Sequence, residues 1–273
     1  MDSSWFKIKE LTDSVFMIQE PLRILAPDYL TNTVNMFVIH DRNEALLIDC
    51  GTGVYSISDL MIGILGKRTI VTPFVTHNHW DHVGSLHEFE SVLIHQNELE
   101  KLKEDEPLEL IREDVIERHD EVESDLPKPF IRKKFTGESL HVQNGEWLQV
   151  GKQELQIVFL GGHTPGSIGL YYPNDKFVFV GDAFQTGYVF ADENPKEYFR
   201  TLEKLEELYG NYYMSAHEEI LLQKKDLDEL RNLFSKWENK ETENVPLKNR
   251  YLDNTLVRGT RFSIILPKNE INI

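Results

Sequence analysis

The sequence predicts an α/β (α+β) fold, because short apolar runs of strand length alternate with segments whose apolar residues recur at helical spacing. The first three strand-like runs cover residues 15–18, 35–39 and 45–48. Residues 56–66 then space their apolar side chains as a helix does. A chain of 273 residues is long enough to bury a large core, and we predict one domain over residues 1–273.

The later part of the chain continues the alternation. A strand at 92–94 follows a polar loop and a short helix that Gly84 would precede. Further strands are predicted at 140–150, 154–160, 168–172, 176–180 and 256–266, and further helices at 195–208 and 225–238.

An acidic segment interrupts this pattern. Residues 98–125 hold thirteen Asp or Glu against four Lys or Arg, and Leu108, Ile111 and Val115 recur at helical spacing. We predict a helical insert over about 98–130. Two interpretations stay open: a solvated acidic face, or a lid or dimer contact over the mouth of a site.

The most informative stretch is His77-Asn78-His79-Trp80-Asp81-His82, which has the pattern His-x-His-x-Asp-His. It follows the apolar residues 72–76, so the end of a strand would place three imidazoles and a carboxylate in one loop. Imidazole suits zinc, copper, iron or nickel, and an added carboxylate oxygen suits zinc, manganese or iron. The spacing therefore predicts a metal site.

Three more residues of metal-ligating type follow short apolar runs, at Gly or Ala positions where a strand would end. They are His163 in Gly-Gly-His-Thr-Pro-Gly-Ser, Asp182 in Val-Gly-Asp-Ala and His217 in Ser-Ala-His-Glu. Together with the histidine loop, this set of motifs resembles that of the metallo-β-lactamase superfamily of metallohydrolases, over roughly residues 12–220. The resemblance implies a four-layer αββα sandwich in which two packed sheets are flanked by helices.

The resemblance also implies two divalent metal ions bridged by Asp182. We expect zinc, with iron or manganese as alternatives. The implied ligands are, for the first ion, His77, His79 and His163 and, for the second ion, Asp81, His82 and His217.

Asp49 and Cys50 stand where the family has its first motif. Asp49 would hold the histidine loop through hydrogen bonds, although a simple turn residue at a strand end remains an alternative. Cys50 is the single cysteine, which excludes an intrachain disulfide. We interpret it as a buried packing residue rather than as a ligand.

The expected chemistry is hydrolysis of a small ester, thioester or lactone by a hydroxide that bridges the two ions. Asp81 is the predicted catalytic residue, because it would orient that hydroxide, and Tyr188 is a candidate donor to a developing oxyanion. Three alternatives stay open: a persulfide dioxygenase with one iron on the same fold, a phosphodiesterase or β-lactamase-like hydrolase, and a binding module without activity.

Candidate substrate contacts come from two segments. Residues 21–30 form an apolar loop with two prolines, in which Ile24, Leu25 and Tyr29 are candidates to bind an acyl group. Gln185 is a further candidate, three residues after Asp182. Some lactonases of the superfamily place a tyrosine there, so glutamine at this position counts against a lactonase.

Composition narrows the classes of partner. A net charge of −17 argues against nucleic acid, because phosphate binding needs clustered Lys and Arg. No basic N-terminal region precedes an apolar stretch, and no stretch reaches the length of a membrane span. We therefore expect a cytoplasmic protein that acts on a small-molecule substrate and has no membrane partner. A homodimer is a further expectation that stays open.

Overall fold

The computed structural model describes residues 5–103, 134–219, 221–249 and 252–268. The chain forms two compact units. The first comprises residues 1–142 and 147–154, and the second comprises residues 143–146 and 155–273. The predicted acidic insert lies mostly outside the described residues, which include only its first part, 98–103.

The first unit contains a seven-stranded sheet whose strands follow chain order. Neighbouring strands are antiparallel from the first to the fourth and parallel from the fourth to the seventh. The strands are β1 (Lys7–Thr12), β2 (Val15–Pro21), β3 (Thr33–Asp41), β4 (Glu44–Ile48), β5 (Ile70–Phe74), β6 (Ser91–Ile94) and β7 (Glu138–His141).

Helices of the first unit pack on this sheet through a core that includes Val38, Leu47 and Met61. Ser56 caps the first helix by accepting a hydrogen bond from the backbone N–H of Asp59 at 3.1 Å. The remaining elements of this unit are α1 (Ile57–Leu65), α2 (Trp80–Val83), α3 (Leu99–Lys103), two 3-10 turns (Leu86–Glu88 and Gln96–Glu98) and strand β8 (Trp147–Val150).

The second unit contains strands of two sheets. In the first sheet five neighbouring strands lie in the order β14, β13, β11, β10, β9, and in the second the order is β12, β17, β16, β15. Their bounds are β9 (Gln153–Phe159), β10 (Ile168–Tyr172), β11 (Phe177–Gly181), β12 (Gly187–Phe190), β13 (Tyr212–Ser215), β14 (Leu221–Leu222), β15 (Asn244–Lys248), β16 (Asp253–Arg258) and β17 (Phe262–Leu266).

Two helices complete the second unit, α4 (Pro195–Glu207) and α5 (Lys224–Glu238). Pro195 opens α4, and the Asn194 side chain accepts from the backbone N–H of Glu197 at 3.1 Å. One hydrophobic cluster joins the helices to strands of both sheets; it includes Tyr198, Phe234, Val178 and Phe262. The core of this unit therefore backs the loops that follow β11 and β13.

Most predicted elements are present, and three of them differ in form. The predicted strand at 140–150 is two strands, and the tail at 256–266 belongs to a hairpin of two strands, β16 and β17. The residues after Gly84 form only a 3-10 turn, because the short helix α2 lies inside the histidine motif itself. Among the described residues, no helix combines the length and the apolar character needed to cross a membrane.

Candidate metal centre

The first unit brings the four motif residues of the histidine loop together at the end of β5. His77, Asp81 and His82 are almost fully buried, and His79 is half-buried. The ring centroid of His77 lies 4.5 Å from that of His79 and 4.1 Å from that of His82. Three imidazoles and one carboxylate therefore converge in one loop of the first unit, and groups of both kinds can bind a metal ion.

Asp49 fixes the orientation of this loop. Its carboxylate accepts from the backbone N–H of Thr76 at 2.8 Å and from the Thr76 hydroxyl at 2.9 and 3.1 Å. Its Oδ2 lies 2.8 Å from Nδ1 of His82. The backbone of Asp49 has a φ of 63°, in the left-handed region that Asp tolerates better than most residues. These contacts are the kind that the role predicted for Asp49 requires, and that role stays a prediction.

The hydrogen bonds also select the nitrogen that each imidazole offers to a metal. Nδ1 of His82 donates to Asp49, so Nε2 keeps its lone pair. Oγ1 of Thr76 spends its single proton on Asp49 and therefore accepts from Nδ1 of His77 at 3.0 Å. Both rings thus present Nε2 without a proton, and a metal ion binds an imidazole only through an unprotonated nitrogen.

The loop after Asp49 packs tightly against α2. The backbone N–H of Gly84 donates to Gly51 at 2.8 Å, and a Cβ at Gly84 would lie 2.1 Å from the carbonyl of Thr52. Cys50 is buried in the core, and its backbone N–H donates to the backbone carbonyl of His82 at 2.7 Å. Burial raises the pKa of the Cys50 thiol well above its ordinary value, so the predicted packing role is confirmed.

One buried glutamate supports the histidine loop, another supports the loop after Asp49, and sequence reasoning missed both. Glu98 accepts from the backbone N–H of Asn78 at 3.1 Å, and its own carbonyl accepts from Nδ2 of Asn78 at 3.2 Å. Glu20 accepts from the backbone N–H of Thr52 at 2.8 Å, from the Thr52 hydroxyl at 2.5 Å and from Nε1 of Trp5 at 2.8 Å. Neither glutamate carries a local motif that could have revealed it.

The second unit brings His163, Asp182 and His217 together at the ends of its strands. Oδ2 of Asp182 lies 3.5 Å from Nε2 of His163, and Oδ1 lies 3.2 Å from Nε2 of His217. All three side chains are buried. Asp182 therefore presents a different carboxylate oxygen to each imidazole.

Hydrogen bonds hold each of these residues in place. Nδ1 of His163 donates to the carbonyl of Phe190 at 3.0 Å, which leaves Nε2 as the ligand atom. The Ser215 hydroxyl donates to the His217 carbonyl at 2.8 Å. The Tyr198 hydroxyl donates to the carbonyls of Asp182 and Ala183. Burial, together with the charge of Asp182, raises the pKa of Tyr198 well above its ordinary value, so this hydroxyl stays a donor.

The five candidates for substrate contact differ in exposure. Ile24 is 46 % exposed, whereas Leu25 is 2 % exposed. Tyr29 makes an edge contact with Trp80, with ring centroids 5.8 Å apart, so loop 21–30 lies against the histidine motif. Gln185 is fully buried and donates to the carbonyl of Tyr188, whose side chain is half-buried. A substrate role for any of these stays a prediction.

The donor set fits divalent metal ions. The first unit offers three imidazoles and one carboxylate, and the second offers two imidazoles and one carboxylate. Zinc, iron and manganese take nitrogen and carboxylate oxygen ligands of this kind, and the supporting bonds from Nδ1 to oxygen acceptors are typical of metal-ligating histidines. The five imidazoles of the set do not suit calcium or magnesium, which prefer oxygen ligands.

Comparisons with known proteins show which family and which relatives the chain is similar to. The model of the metallo-beta-lactamase superfamily matches residues 31–233. An acyl-coenzyme A thioesterase, MBLAC2, from Homo sapiens is 27% identical over 222 residues, which cover 75% of this chain and 76% of that protein. A hydroxyacylglutathione hydrolase from Gloeothece citriformis is 25% identical over 238 residues, which cover 82% of this chain and 76% of that protein.

Solved structures show the same fold. A metallo-beta-lactamase family protein from Thermus thermophilus has a TM-score of 0.63 and 21% identity, covering 85% of this chain and 82% of that one. The DIM-1 metallo-beta-lactamase has a TM-score of 0.61 and 16% identity, covering 85% of this chain and 97% of that one. At such identities the likeness concerns the fold alone, and it confirms the predicted α/β sandwich class.

Proposed function

The chain belongs to the metallo-beta-lactamase superfamily and is a metal-binding hydrolase; from that premise we propose that it hydrolyses small acyl thioesters with two divalent ions, preferably zinc. The observation that carries the proposal is the Asp182 carboxylate, which offers one oxygen to the side of His163 and the other to the side of His217. Only a carboxylate can serve two ions in this way.

In the proposed centre the two half-sets of ligands combine. His77, His79 and His163 would hold one ion, Asp81, His82 and His217 would hold the other, and Asp182 would contribute to both. The prior engagement of Nδ1 in His77, His82 and His163 supports this assignment, because it leaves Nε2 of each ring for the metal.

When bound, two such ions polarise a substrate carbonyl and lower the pKa of coordinated water to near 7. The protein's own groups would then act on orientation. Asp81 is almost fully buried beside His82, with 3.8 Å between its Oδ1 and Nε2 of that ring, and its carboxylate would accept a hydrogen bond from water at the site and so orient it. Tyr188 is proposed to donate a hydrogen bond from its hydroxyl to the substrate oxygen as negative charge develops there.

The thioester class is drawn from the relatives. The names of two of them describe hydrolysis of acyl groups carried on coenzyme A or on glutathione. Both carriers are thiols, so the bond that is hydrolysed is a thioester. The chain's apolar loop supports an acyl substrate, because Ile24 is exposed in a segment that Tyr29 ties to Trp80 within the histidine motif. A lactone or simple ester would use the same metal chemistry and is the alternative within this proposal.

A substrate panel tests the proposal. Zinc-loaded protein is assayed on acyl-coenzyme A, S-acylglutathione, a lactone, a chromogenic β-lactam and bis(p-nitrophenyl) phosphate, with oxygen uptake measured on a persulfide. We expect thioester turnover that stops with a chelator, returns with zinc, is lost in His163→Ala and persists in the exposed control His141→Ala. One iron per chain, oxygen uptake and no thioester hydrolysis would instead establish the dioxygenase alternative.

A further inference from the structure

Helix α4 contacts two ligand-bearing loops of the second unit through side chains one turn apart. The Tyr198 hydroxyl donates to the carbonyl of Ala183 at 2.6 Å and lies 3.2 Å from the carbonyl of Asp182. The Thr201 hydroxyl donates to the carbonyl of Gly161 at 2.7 Å. Both side chains are fully buried, so neither bond competes with water.

We propose that Tyr198 and Thr201 are positioning residues that set the separation of Asp182 and His163, and so tune the affinity of the protein for its metal ions. Residues three apart on a helix lie on the same face. One rigid element therefore holds the backbone of Asp182 directly and the backbone two residues before His163. The inference rests on the proposed metal centre, and it adds two residues that bind no metal themselves.

Helix α4 and the loop that carries His163 lie in close contact. Gly162 has a φ of 121°, and a Cβ there would lie 2.3 Å from the backbone nitrogen of Tyr198. The carbonyl of Gly162 also accepts from the backbone N–H of Asn194 at 3.2 Å, next to the start of the helix. Helix and loop thus meet backbone to backbone, so a shift of one moves the other.

The position of Tyr198 does not depend on its hydroxyl. Its ring stacks on Phe234 with centroids 5.5 Å apart and an interplanar angle of 11°. Phenylalanine would keep this packing and lose only the donor to the Asp182 loop. The substitution Tyr198→Phe therefore isolates the hydrogen bond.

Tyr213 provides a matched control in the same core. It is 1 % exposed, its hydroxyl donates to the carbonyl of Leu205 at 2.9 Å, and its ring contacts Phe184. Tyr213→Phe removes a buried tyrosine hydrogen bond of the same kind, but from a carbonyl near the end of α4. A general loss of stability should therefore appear in both variants.

The test measures the dissociation constant for Zn²⁺ alone, by competition with a fluorescent chelator, in the full-length metal-free protein. We expect Tyr198→Phe to bind zinc about tenfold more weakly than the wild type, as removal of supporting groups around metal ligands commonly does. Tyr213→Phe should bind zinc as the wild type does, while both variants lose similar thermal stability. Equal zinc affinity in the wild type and Tyr198→Phe, or an equal loss in both variants, would overturn the proposal.

A second pair of variants covers the case in which Tyr198→Phe does not fold. Thr201→Val keeps the shape and removes the donor, and Thr201→Ser restores the hydroxyl. We expect weaker zinc binding in the valine variant and recovery in the serine variant; no difference between them would refute the positioning role. Failure of the wild type itself to bind zinc would refute the proposed metal centre and this inference together.

Discussion

Nδ1 of His82 lies 2.8 Å from Oδ2 of Asp49, and both side chains are almost fully buried. The same carboxylate accepts hydrogen bonds from the hydroxyl and from the backbone N–H of Thr76. The Thr76 hydroxyl oxygen in turn lies 3.0 Å from Nδ1 of His77. One carboxylate therefore orients two of the proposed ligands, one directly and one through a threonine. A single substitution at Asp49 should disturb both.

Asp49→Asn should weaken zinc binding about 10- to 100-fold, because the amide replaces one acceptor oxygen by a donor that opposes the N–H of His82. Isothermal titration of zinc into the metal-free variant measures this. Asp41→Asn is the control, since the Asp41 carboxylate accepts a hydrogen bond at a turn, from the backbone N–H of Lys152. Wild-type zinc affinity in Asp49→Asn would show that this carboxylate is only a turn residue.

Glu98, the first residue of the predicted acidic insert, is hydrogen-bonded to the histidine loop. Glu98→Ala removes the acceptor for the backbone N–H of Asn78, between His77 and His79, so we expect a several-fold loss of zinc affinity and of kcat/KM. Glu98→Gln keeps an acceptor oxygen and should recover most of both. If alanine and glutamine behave alike, the hydrogen bond to Asn78 does not position the loop.

Adjacent residues of the apolar loop should respond differently to serine. Ile24→Ser changes a side chain that is 46 % exposed, so we expect a higher KM for long acyl thioesters and an unchanged KM for acetyl thioesters. Leu25→Ser places a hydroxyl where the side chain is 2 % exposed and should cost about 3 kcal/mol of stability. An unchanged KM for long acyl chains in Ile24→Ser would exclude this loop from substrate binding.

Glu20 should make stability depend on pH. Burial raises the pKa of this carboxyl above its ordinary value, helped by the charge of Asp81 and opposed by hydrogen bonds from Thr52 and Trp5. The folded protein therefore keeps the proton of the Glu20 carboxyl to a higher pH than the unfolded chain does, because the pKa of Glu in the unfolded chain is about 4.3. The contribution of Glu20 to stability is fully present below that pH and falls as the pH rises through the raised pKa.

Urea unfolding of metal-free wild type and Glu20→Gln at a series of pH values isolates this contribution. The difference in unfolding free energy, wild type minus variant, should decrease from acid pH towards neutral pH. Other titrating groups are common to both proteins and cancel. A difference that stays constant or increases with pH would contradict the assignment of a raised pKa to Glu20.

The residues that we propose as ligands could be recognised in the sequence because their signal is local. His77 to His82 follow one strand, and His163, Asp182 and His217 each follow another, so their type and position, together with the family resemblance, point to them. The supporting residues could not be predicted in this way. Glu20 meets Thr52 32 residues later, and Thr201 meets Gly161 40 residues earlier, through contacts that only the tertiary fold creates.

The strand β12 was missed for a similar reason. Gly187 opens it, and it has four residues, so it shows neither length nor alternation as a sequence signal. Its parallel partner is β17, where Gly187 pairs with Phe262. Pairing across such a separation stabilises the strand, and the strand places the Phe190 carbonyl that orients His163.

Metal content and turnover, measured on the same preparations of wild type and His82→Ala, test the dinuclear thioester hydrolase most directly. We expect two zinc ions per chain in the wild type and one in the variant, with kcat on an acyl thioester reduced by more than about 100-fold, as when an electrostatic stabiliser of the transition state is removed. The control His141→Ala should retain both ions and full kcat. Full thioester turnover with a single metal per chain would contradict the account.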